Sequence, residues 1–460
     1  MIVRGPILAP QYDGRVRYIA DGVLDVAEGG RIEWMGDFAQ FPGRDRKDVR
    51  TAAGVICPPF FDNHIHIPQH PIRGHFMDGI GADPPGGRLI AGLNRNVFPA
   101  EARCADAAYT EQCVSDFMRD TLAHGVVGGA AYMTVHASAA RSAMEALPTR
   151  WMAGLVLMNQ NCPEYLRTDE AHFERDALAL ARDFDWIVTD RFAVACDSSL
   201  RRRGVVVAKQ AGLRMQTHLN EQLREKQFVE ETLYPDRSSY TEVYERDGLL
   251  HHRPILAHCV HMRPEEFEIL SRMKSSIAHC PTSNTLLGSG IMSLDAVIDH
   301  QIDYAICTDV GASPTTSLLN EMAQFIKVHA GRSKRATPSE ALFRTTLAAA
   351  RMMDEDAHFG LLAVDRPGSF IEIAVDPQVL ARCATSDDVI ARAILELPPS
   401  QSPELSSAFD MLATGRCDAG PQLDLLSDDV NETVRRLDNK VRRVTLEGRV
   451  AYDAPTANPR

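Results

Sequence analysis

The sequence predicts an α/β protein, a (β/α)8 TIM-like barrel with a small β-sandwich domain built from both terminal segments. Eight short apolar runs alternate with amphipathic segments between residues 55 and 310, and the two ends of the chain carry strand-like alternation. Ionisable residues follow five of the runs, at the strand ends where such barrels hold their active sites. We therefore expect a barrel at residues 57–366, and a small β domain with a C-terminal extension at residues 1–56 plus 367–460.

The eight apolar runs are strand candidates because each is short and is followed by a polar or helical segment. They are VICPPFFDNHIH, GVVGGAAYM, WMAGLVLM, WIVTDRFAVAC, LRMQTHLN, PILAHCV, SSIAHCP and YAICTDV. The segments at residues 107–125 and 169–184 repeat apolar residues every three or four positions, which is typical of amphipathic helices. Alternation of strands and helices predicts a parallel sheet, and eight strands are the number that closes a barrel.

The terminal segments have the pattern of antiparallel strands. Residues 16–37 alternate apolar and polar side chains, and Asp21-Gly22 and Gly29-Gly30 predict hairpin turns there. Residues 368–377 and 441–453 continue the pattern at the other end of the chain. Residues 383–430 indicate nothing more than an irregular or helical surface segment.

Composition excludes several classes of protein. The 460 residues include 49 Lys and Arg against 62 Asp and Glu, a formal charge of −13 that argues against general nucleic-acid binding. No apolar run approaches the ~20 residues of a membrane helix, and the N-terminus lacks a secretory signal. The ten cysteines are scattered and form no CxxC pair, so we expect free, mostly buried thiols in a cytoplasmic protein.

Three histidines and one aspartate at strand ends predict a metal centre. His64 and His66 lie two positions apart on the first strand and therefore face the same side. His218 ends the fifth strand and Asp309 ends the eighth. Three neutral imidazoles and a carboxylate suit Zn²⁺ or Fe²⁺ and leave a position for water. We expect one ion per chain, zinc with iron as the alternative.

Three further residues lie beside this set. Glu221 follows His218 by three positions. It could be a solvated loop carboxylate, but its place beside a metal ligand favours a proton shuttle. His258 ends the sixth strand and could hydrogen-bond water or substrate. His279 ends the seventh strand, where a role in the site and a role in orienting the following loop both stay open.

These segments resemble the amidohydrolase superfamily, in its subgroup of mononuclear-metal aminohydrolases. The shared motifs are FFDNHIHIPQ, THLNE, LAHCVHM, IAHCPTSN and CTDVGAS, in that order. Other segments are similar to the guanine deaminase family, and the resemblance covers about residues 54 to 325. The segments are NVFPAE, CPEYLRT, VTDRFAVAC, LYPDRSSYTEVYERDGLL and NTLLGSGIM.

The resemblance implies hydrolytic deamination of guanine to xanthine and ammonia, and a homodimer. It implies zinc bound by the four residues named above, with Glu221 protonating a ring nitrogen of the purine. Asp309, together with His258, would relay the proton of the attacking water. Gln69 and the pair Arg191 and Phe192 match the family's contacts to the purine. Arginine only donates hydrogen bonds, which suits the carbonyl of guanine.

Two segments depart from the family pattern. Residues 70–96 form a different loop after the first strand, with Asp83–Gly87 and then Leu89–Leu93 in place of the usual helix, and this loop should border the pocket. The exit of the eighth strand is altered at residues 311–314. The alternatives are a ring aminohydrolase acting on a pterin, an 8-oxopurine or a triazine, and a catalytically silent barrel. Retention of every proposed ligand argues against the silent barrel.

Overall fold

A computed structural model describes residues 1–81, 84, 87–397 and 420–455. Asp83, Pro85 and Gly86 of the predicted pocket loop lie outside the described residues. So does the stretch 398–419, which includes SQSPELSS and most of the unassigned segment before residue 420.

The strands of the described part of the chain begin at residue 2 and end at residue 453. They are β1 Ile2–Pro10, β2 Val16–Val26, β3 Ile32–Asp37, β4 Val49–Thr51, β5 Val55–Cys57, β6 Phe60–His66, β7 Val126–Tyr132, β8 Trp151–Gly154, β9 Val156–Leu157, β10 Ile187–Asp190, β11 Arg214–Leu219, β12 Ile255–His258, β13 Ser276–His279, β14 Asp303–Ile306, β15 Phe370–Ile373, β16 Val441–Leu446 and β17 Arg449–Asp453. All eight predicted apolar runs form strands, but two are divided: the first at Pro58-Pro59, which leaves β5 in the terminal sheet, and the third at Leu155.

Helices connect these strands. They are α1 Arg88–Gly92, α2 Phe98–Ala102, α3 Ala107–Ala123, α4 Ala137–Ala146, α5 Phe173–Asp183, α6 Ser198–Ala211, α7 Leu223–Gln227, α8 Tyr240–Arg246, α9 Pro264–Arg272, α10 Pro281–Leu286, α11 Leu294–Asp299, α12 Leu318–His329, α13 Pro338–Thr345, α14 Leu347–Met352, α15 Pro377–Leu380, α16 Ser386–Asp388 and α17 Gly420–Leu437. Three π-helical turns, Leu93–Val97, Phe228–Leu233 and Val389–Ile394, extend α1, α7 and α16. No helix in the described ranges is long and apolar enough to cross a membrane.

The central strands form two parallel sheets. One has the order β14-β13-β12-β11-β10-β9 and the other β6-β7-β8, so only Leu155 separates the two sheets where β8 meets β9. At their other edges the amide of Asp309 donates to His64 O at 2.9 Å and the amide of His66 to Val310 O at 2.8 Å. The exits of β6 and β14 are therefore hydrogen-bonded neighbours.

A glycine allows β6 and β7 to pack closely beside the future site. Gly129 has a φ of +148°, and a Cβ built on it would lie 1.7 Å from Asp62 O. A side chain there would push β6 away from β7, since no larger residue fits against that backbone. The position of β6 matters because this strand carries both His64 and His66.

Strands from both chain ends share one mixed sheet. Its order is β17-β16-β15-β5-β1-β2-β3, with β4 added beside β1. The predicted turn at Gly29-Gly30 connects β2 and β3, whereas the turn predicted at Asp21-Gly22 is wrong because β2 runs through it. Gly22 lies opposite Gly5, and a Cβ on it would come within 2.6 Å of Ile7 Cδ1. Close packing, and not a turn, explains this glycine.

Two sequence expectations concern buried residues. All nine described cysteines are free, and seven of them are buried, which agrees with their interpretation as core residues. The expectation that residues 383–430 form only a surface segment is wrong for the turn Val389–Ile394. Val389 and Ile390 are fully buried there, so this turn packs into the hydrophobic core.

Candidate active site

A cavity lies at the carboxyl ends of the parallel strands. It brings together the predicted residues from β6, β10, β11, β12 and the segment after β14, as the barrel rule requires. The lining side chains are His66, Gln69, Phe76, Leu89, Leu93, Arg191, Phe192, His218, Glu221, His258, Leu287 and Asp309.

His64 and His66 converge on one carboxylate. The Nε2 atoms of both imidazoles lie 3.2 Å from Asp309 Oδ1. The two rings are buried, and they come from the last positions of β6. Alternation along the strand places both on the same side, as the sequence pattern predicted.

His218 completes the set from β11. Its Nδ1 lies 2.6 Å from the carbonyl oxygen of Arg191, so Nδ1 carries the proton and Nε2 keeps its lone pair. Such a second hydrogen bond is how proteins orient metal-binding histidines. Ligand atoms of four buried residues lie within 4.8 Å of one another: His64, His218, His258 and Asp309.

The donor set fits a divalent metal ion. Burial lowers the pKa of His66 to about 3 and also lowers the pKa of His64 and His218, so all three imidazoles are neutral. Nε2 of His64 has no hydrogen-bond partner among the described residues, although Asp309 Oδ1 is 3.2 Å away. Two imidazole nitrogens that converge on one carboxylate oxygen form a donor set that suits a divalent cation. We conclude that this cluster holds a divalent metal.

Asp309 is held in its place by neighbouring groups. Ser283 on α10 donates to its Oδ2 at 2.6 Å, and the Asp309 backbone has a left-handed φ of +54°. Burial alone would raise the pKa of Asp309, but its contacts with His64 and His66 hold it well below the usual value. The carboxylate is therefore ionised and can act as a ligand or accept a proton.

Glu221 lies beside the same cluster, with its Oε2 3.7 Å from His258 Nε2, and its pKa is shifted in the opposite direction to that of Asp309. It is only 3% exposed, and Ser289 donates to its Oε1 at 3.1 Å. Burial and the nearby charge of Asp309 raise the pKa of Glu221 to about 8. The raised pKa favours the protonated form, and the burial of Glu221 excludes a solvated loop position.

The two other strand-end histidines have different surroundings. His258 Nδ1 lies 2.9 Å from Asn284 Oδ1, and its Nε2 faces Glu221 Oε2 at 3.7 Å and Asp309 Oδ2 at 3.9 Å. His279 is outside the cavity lining, and its Nε2 is 3.1 Å from Nε2 of His329. His258 thus belongs to the site, whereas His279 is a buried residue behind it.

Gln69 and Arg191 share a partner that the sequence reasoning missed. Glu101 on α2 accepts from Arg191 Nη1 at 2.6 and 2.8 Å through its two oxygens, and from Gln69 Nε2 at 2.9 Å. All three side chains are at most 2% exposed. Glu101 lies in the family-like segment NVFPAE, but a single glutamate there does not indicate its distant partners.

Apolar side chains form the outer part of the cavity. Phe76, Leu89 and Leu93 come from the segment after β6, and Leu287 follows α10. Asn96 holds this segment by donating to the carbonyl oxygen of Phe76 at 2.9 Å. The loop that departs from the family pattern therefore borders the pocket, as expected.

Residues 55–401, about three quarters of the chain, match the model of the Amidohydrolase family. The chain belongs to the amidohydrolase family. Its sequence is 31% identical over 371 residues to the guanine deaminase of Escherichia coli, covering 77% of this chain and 82% of that relative. Sequence similarity therefore extends through the whole site of this amidohydrolase.

Solved structures share the fold of this amidohydrolase along nearly its full length. The E. coli guanine deaminase structure aligns with a TM-score of 0.76 at 24% identity, covering 98% of this chain and 99% of that one. Atrazine chlorohydrolase from Arthrobacter aurescens, solved in complex with zinc, aligns with a TM-score of 0.73 at 15% identity, covering 98% and 95% of the two chains. These likenesses show the fold alone.

Proposed function

We propose that this amidohydrolase deaminates guanine hydrolytically to xanthine and ammonia, with one zinc ion per chain. The observation that carries the proposal is the convergence of strand-end imidazoles with the buried carboxyl groups of Asp309 and Glu221 in a cavity that also presents Arg191 and Gln69. The similarity to a curated guanine deaminase supports the substrate. Such a reaction serves purine catabolism or salvage.

The metal ligands in this proposal are His64, His66, His218 and Asp309. We choose His66 over His258 as the third imidazole because His64 and His66 face the same Asp309 oxygen at 3.2 Å. A zinc ion bound there would lower the pKa of a coordinated water and polarise the substrate as a Lewis acid. The zinc-bound relative of the same fold supports zinc, with iron as the alternative.

Protons move between three groups of the chain. Asp309 is ionised and accepts a proton from the attacking water, while His258 presents Nε2 to the same region because Asn284 holds its Nδ1. Glu221 is protonated and donates to the ring nitrogen next to the carbon under attack. Asp309 then passes its proton to the amino group, the C–N bond breaks and ammonia leaves. The proton of the added hydroxyl group returns to Glu221 as the new carbonyl forms.

The substrate end of the cavity suits a flat ring with a carbonyl. Arg191 donates to Glu101 through Nη1 alone among the described residues, so its other guanidinium donors are available for a carbonyl oxygen. Phe192 lies beside His218, with ring centroids 6.3 Å apart, and can stack on a purine. Adenine would present an amino group to Arg191 and leave two donors facing each other.

We further propose that the two parallel sheets form one closed (β/α)8 barrel at residues 57–366. The backbone hydrogen bonds between the exits of β6 and β14 support closure. Residues 1–56 and 367–460 would form the small domain, with its mixed sheet folded as a sandwich. A homodimer remains a prediction from the resemblance, and a cytoplasmic location remains a prediction from the scattered cysteines.

Ammonia release from the zinc-loaded protein tests the proposal. Guanine, 8-oxoguanine, a pterin, a triazine, adenine and cytosine are compared at equal concentration, with Glu221→Gln as the inactive control. We expect the highest kcat/KM for guanine. A higher value for a pterin, an 8-oxopurine or a triazine would favour the alternative ring aminohydrolase, and the apolar residues of the altered loop would then account for the difference.

A further inference from the structure

We infer that Glu101 is a positioning residue that determines which hydrogen-bond pattern the pocket recognises. This inference rests on the proposed function, since it concerns how Gln69 and Arg191 meet the substrate. Glu101 itself does not line the cavity. It acts through the two residues that do, by holding one donor of each.

The carboxylate fixes the orientation of the Gln69 amide. An ionised carboxylate only accepts hydrogen bonds, so the group of Gln69 that faces it at 2.9 Å must be the NH₂. The Gln69 carbonyl Oε1 is then the atom left for the pocket. Its one other contact among the described residues is the amide of Gly311 at 3.4 Å, which leaves a lone pair free.

The same carboxylate sets the place and charge of Arg191. Both oxygens of Glu101 accept from Nη1 of Arg191, and one of them also accepts from Gln69, so the two pocket residues lie side by side. The charge of Glu101 compensates the charge of the buried guanidinium, because a buried charge is stable only when it is paired. Arg191 therefore offers donors directly beside the acceptor of Gln69.

A donor beside an acceptor selects a ring that has a carbonyl next to an N–H. Guanine has this arrangement at C6 and N1, whereas 2-aminopurine has the same amino group at C2 but neither the carbonyl nor the N1–H. Without Glu101 the Gln69 amide could rotate by 180° and present its NH₂ to the pocket, where it would donate to the unprotonated N1 of 2-aminopurine. The structure thus assigns discrimination between these two rings to a residue that touches neither.

The test compares guanine with 2-aminopurine in zinc-loaded wild type and in Glu101→Gln. We expect at least a tenfold rise in KM for guanine and at least a tenfold fall in the guanine preference, with kcat reduced less than fivefold and zinc content unchanged. Glu101→Asp keeps an acceptor-only group and should recover part of the preference. Glu372→Gln is the matched control, because Glu372 is a fully buried carboxylate paired with Arg50 in the terminal sheet.

Binding separates this inference from the proposed function. Xanthine keeps the carbonyl and the N1–H but has no amino group, so calorimetric titration with it reads recognition without turnover. Wild type that binds xanthine without deaminating guanine would contradict the function, and the loss of xanthine affinity in Glu101→Gln would still support the role of Glu101. If Glu101→Gln kept the KM for guanine, the guanine preference and the xanthine affinity of the wild-type protein, the proposed role of Glu101 would be wrong.

A second variant covers the case in which an unpaired Arg191 prevents folding. Glu101→Gln combined with Arg191→Met removes both charges of the pair and is compared with Arg191→Met alone. A further loss of guanine preference of tenfold or more supports control of Gln69 by Glu101. Equal preferences in the two proteins would contradict it.

Discussion

Replacement of Glu321 by glutamine should stabilise the protein, and increasingly so as the pH rises. Glu321 on α12 is fully buried behind the exit of β14. It accepts from the Thr282 amide at 3.1 Å, and its Oε1 lies 3.1 Å from Ser313 Oγ. Burial raises its pKa from 4.5 to about 8, so the folded protein keeps this carboxyl group protonated at neutral pH.

The sign of the effect follows from proton binding. Between pH 4.5 and about 8 the folded state holds a proton on Glu321 that the unfolded state has lost, so the free energy of unfolding falls as pH rises. Each pH unit in this window is worth about 1.4 kcal/mol, which gives a cost of about 3 kcal/mol at pH 7 and about 1 kcal/mol at pH 5. Above pH 8 both states are ionised and the cost no longer grows.

Glutamine has the shape of the protonated acid and does not titrate. Its carbonyl can accept from Thr282, and its NH₂ can donate to Ser313 Oγ, because the Ser313 hydroxyl already donates to Thr315 O at 3.2 Å. Denaturant unfolding at pH 5 and pH 7 measures the difference. We expect Glu321→Gln to gain about 2 kcal/mol more over wild type at pH 7 than at pH 5.

The control is Glu111→Gln on the exposed side of α3, which should stay within about 0.5 kcal/mol of wild type at both pH values. An advantage of Glu321→Gln that is equal at pH 5 and pH 7 would refute the reasoning, since it would show that Glu321 carries no extra proton in the folded state. A loss of stability at both pH values would show that the carboxylate is ionised and needed as such.

The remaining predictions concern the site. His66→Ala should lose most of the bound zinc and the activity together, whereas His258→Ala should lose activity and keep the metal; atomic absorption after dialysis distinguishes them, and the reverse result would exchange the two roles. Glu221→Gln should retain stoichiometric zinc while kcat falls ~10²–10⁴-fold in steady-state assays, and an equal loss of metal and rate would make Glu221 a ligand. Arg191→Met should raise KM and lower kcat/KM for guanine without changing the zinc content. Unaltered guanine kinetics would exclude a contact between Arg191 and the substrate.

The strand ends could be predicted from the sequence because two independent patterns coincide there. Short apolar runs indicate where the strands lie between the helices. The residues that end these runs are polar or ionisable, and such residues are rarely buried without a partner. His218 illustrates this, since it ends β11 at the cavity, where its Nδ1 contacts the carbonyl oxygen of Arg191 and its Nε2 is left for the proposed metal. Side-chain alternation along a strand likewise predicted that His64 and His66 face the same side of β6.

Other features could not be predicted because they depend on contacts between distant segments. Glu101 lies on a short helix 90 residues before Arg191, and only the fold brings the two carboxylate oxygens to the guanidinium. The local sequence at Gly22 is typical of a turn, and only its contact with Ile7 shows that close packing between strands requires the glycine. His279 has the same local sequence pattern as His258, and only the position of His329 shows that it lies behind the cavity. In each case local sequence is compatible with more than one environment.

The pKa values of two carboxyl groups in one cavity are shifted in opposite directions, and the neighbours of each group explain how. Asp309 is surrounded by groups that favour the charge, namely the imidazoles of His64 and His66 and the hydroxyl of Ser283. Among the described residues only Ser289 donates to the Glu221 side chain, and the charge of Asp309 opposes the ionisation of Glu221. The charge of Asp309 therefore raises the pKa of Glu221, and in the proposed mechanism the two groups supply a base and an acid at one pH. They form one unit, because neutralising Asp309 would also lower the pKa of Glu221, the acid of the proposed reaction.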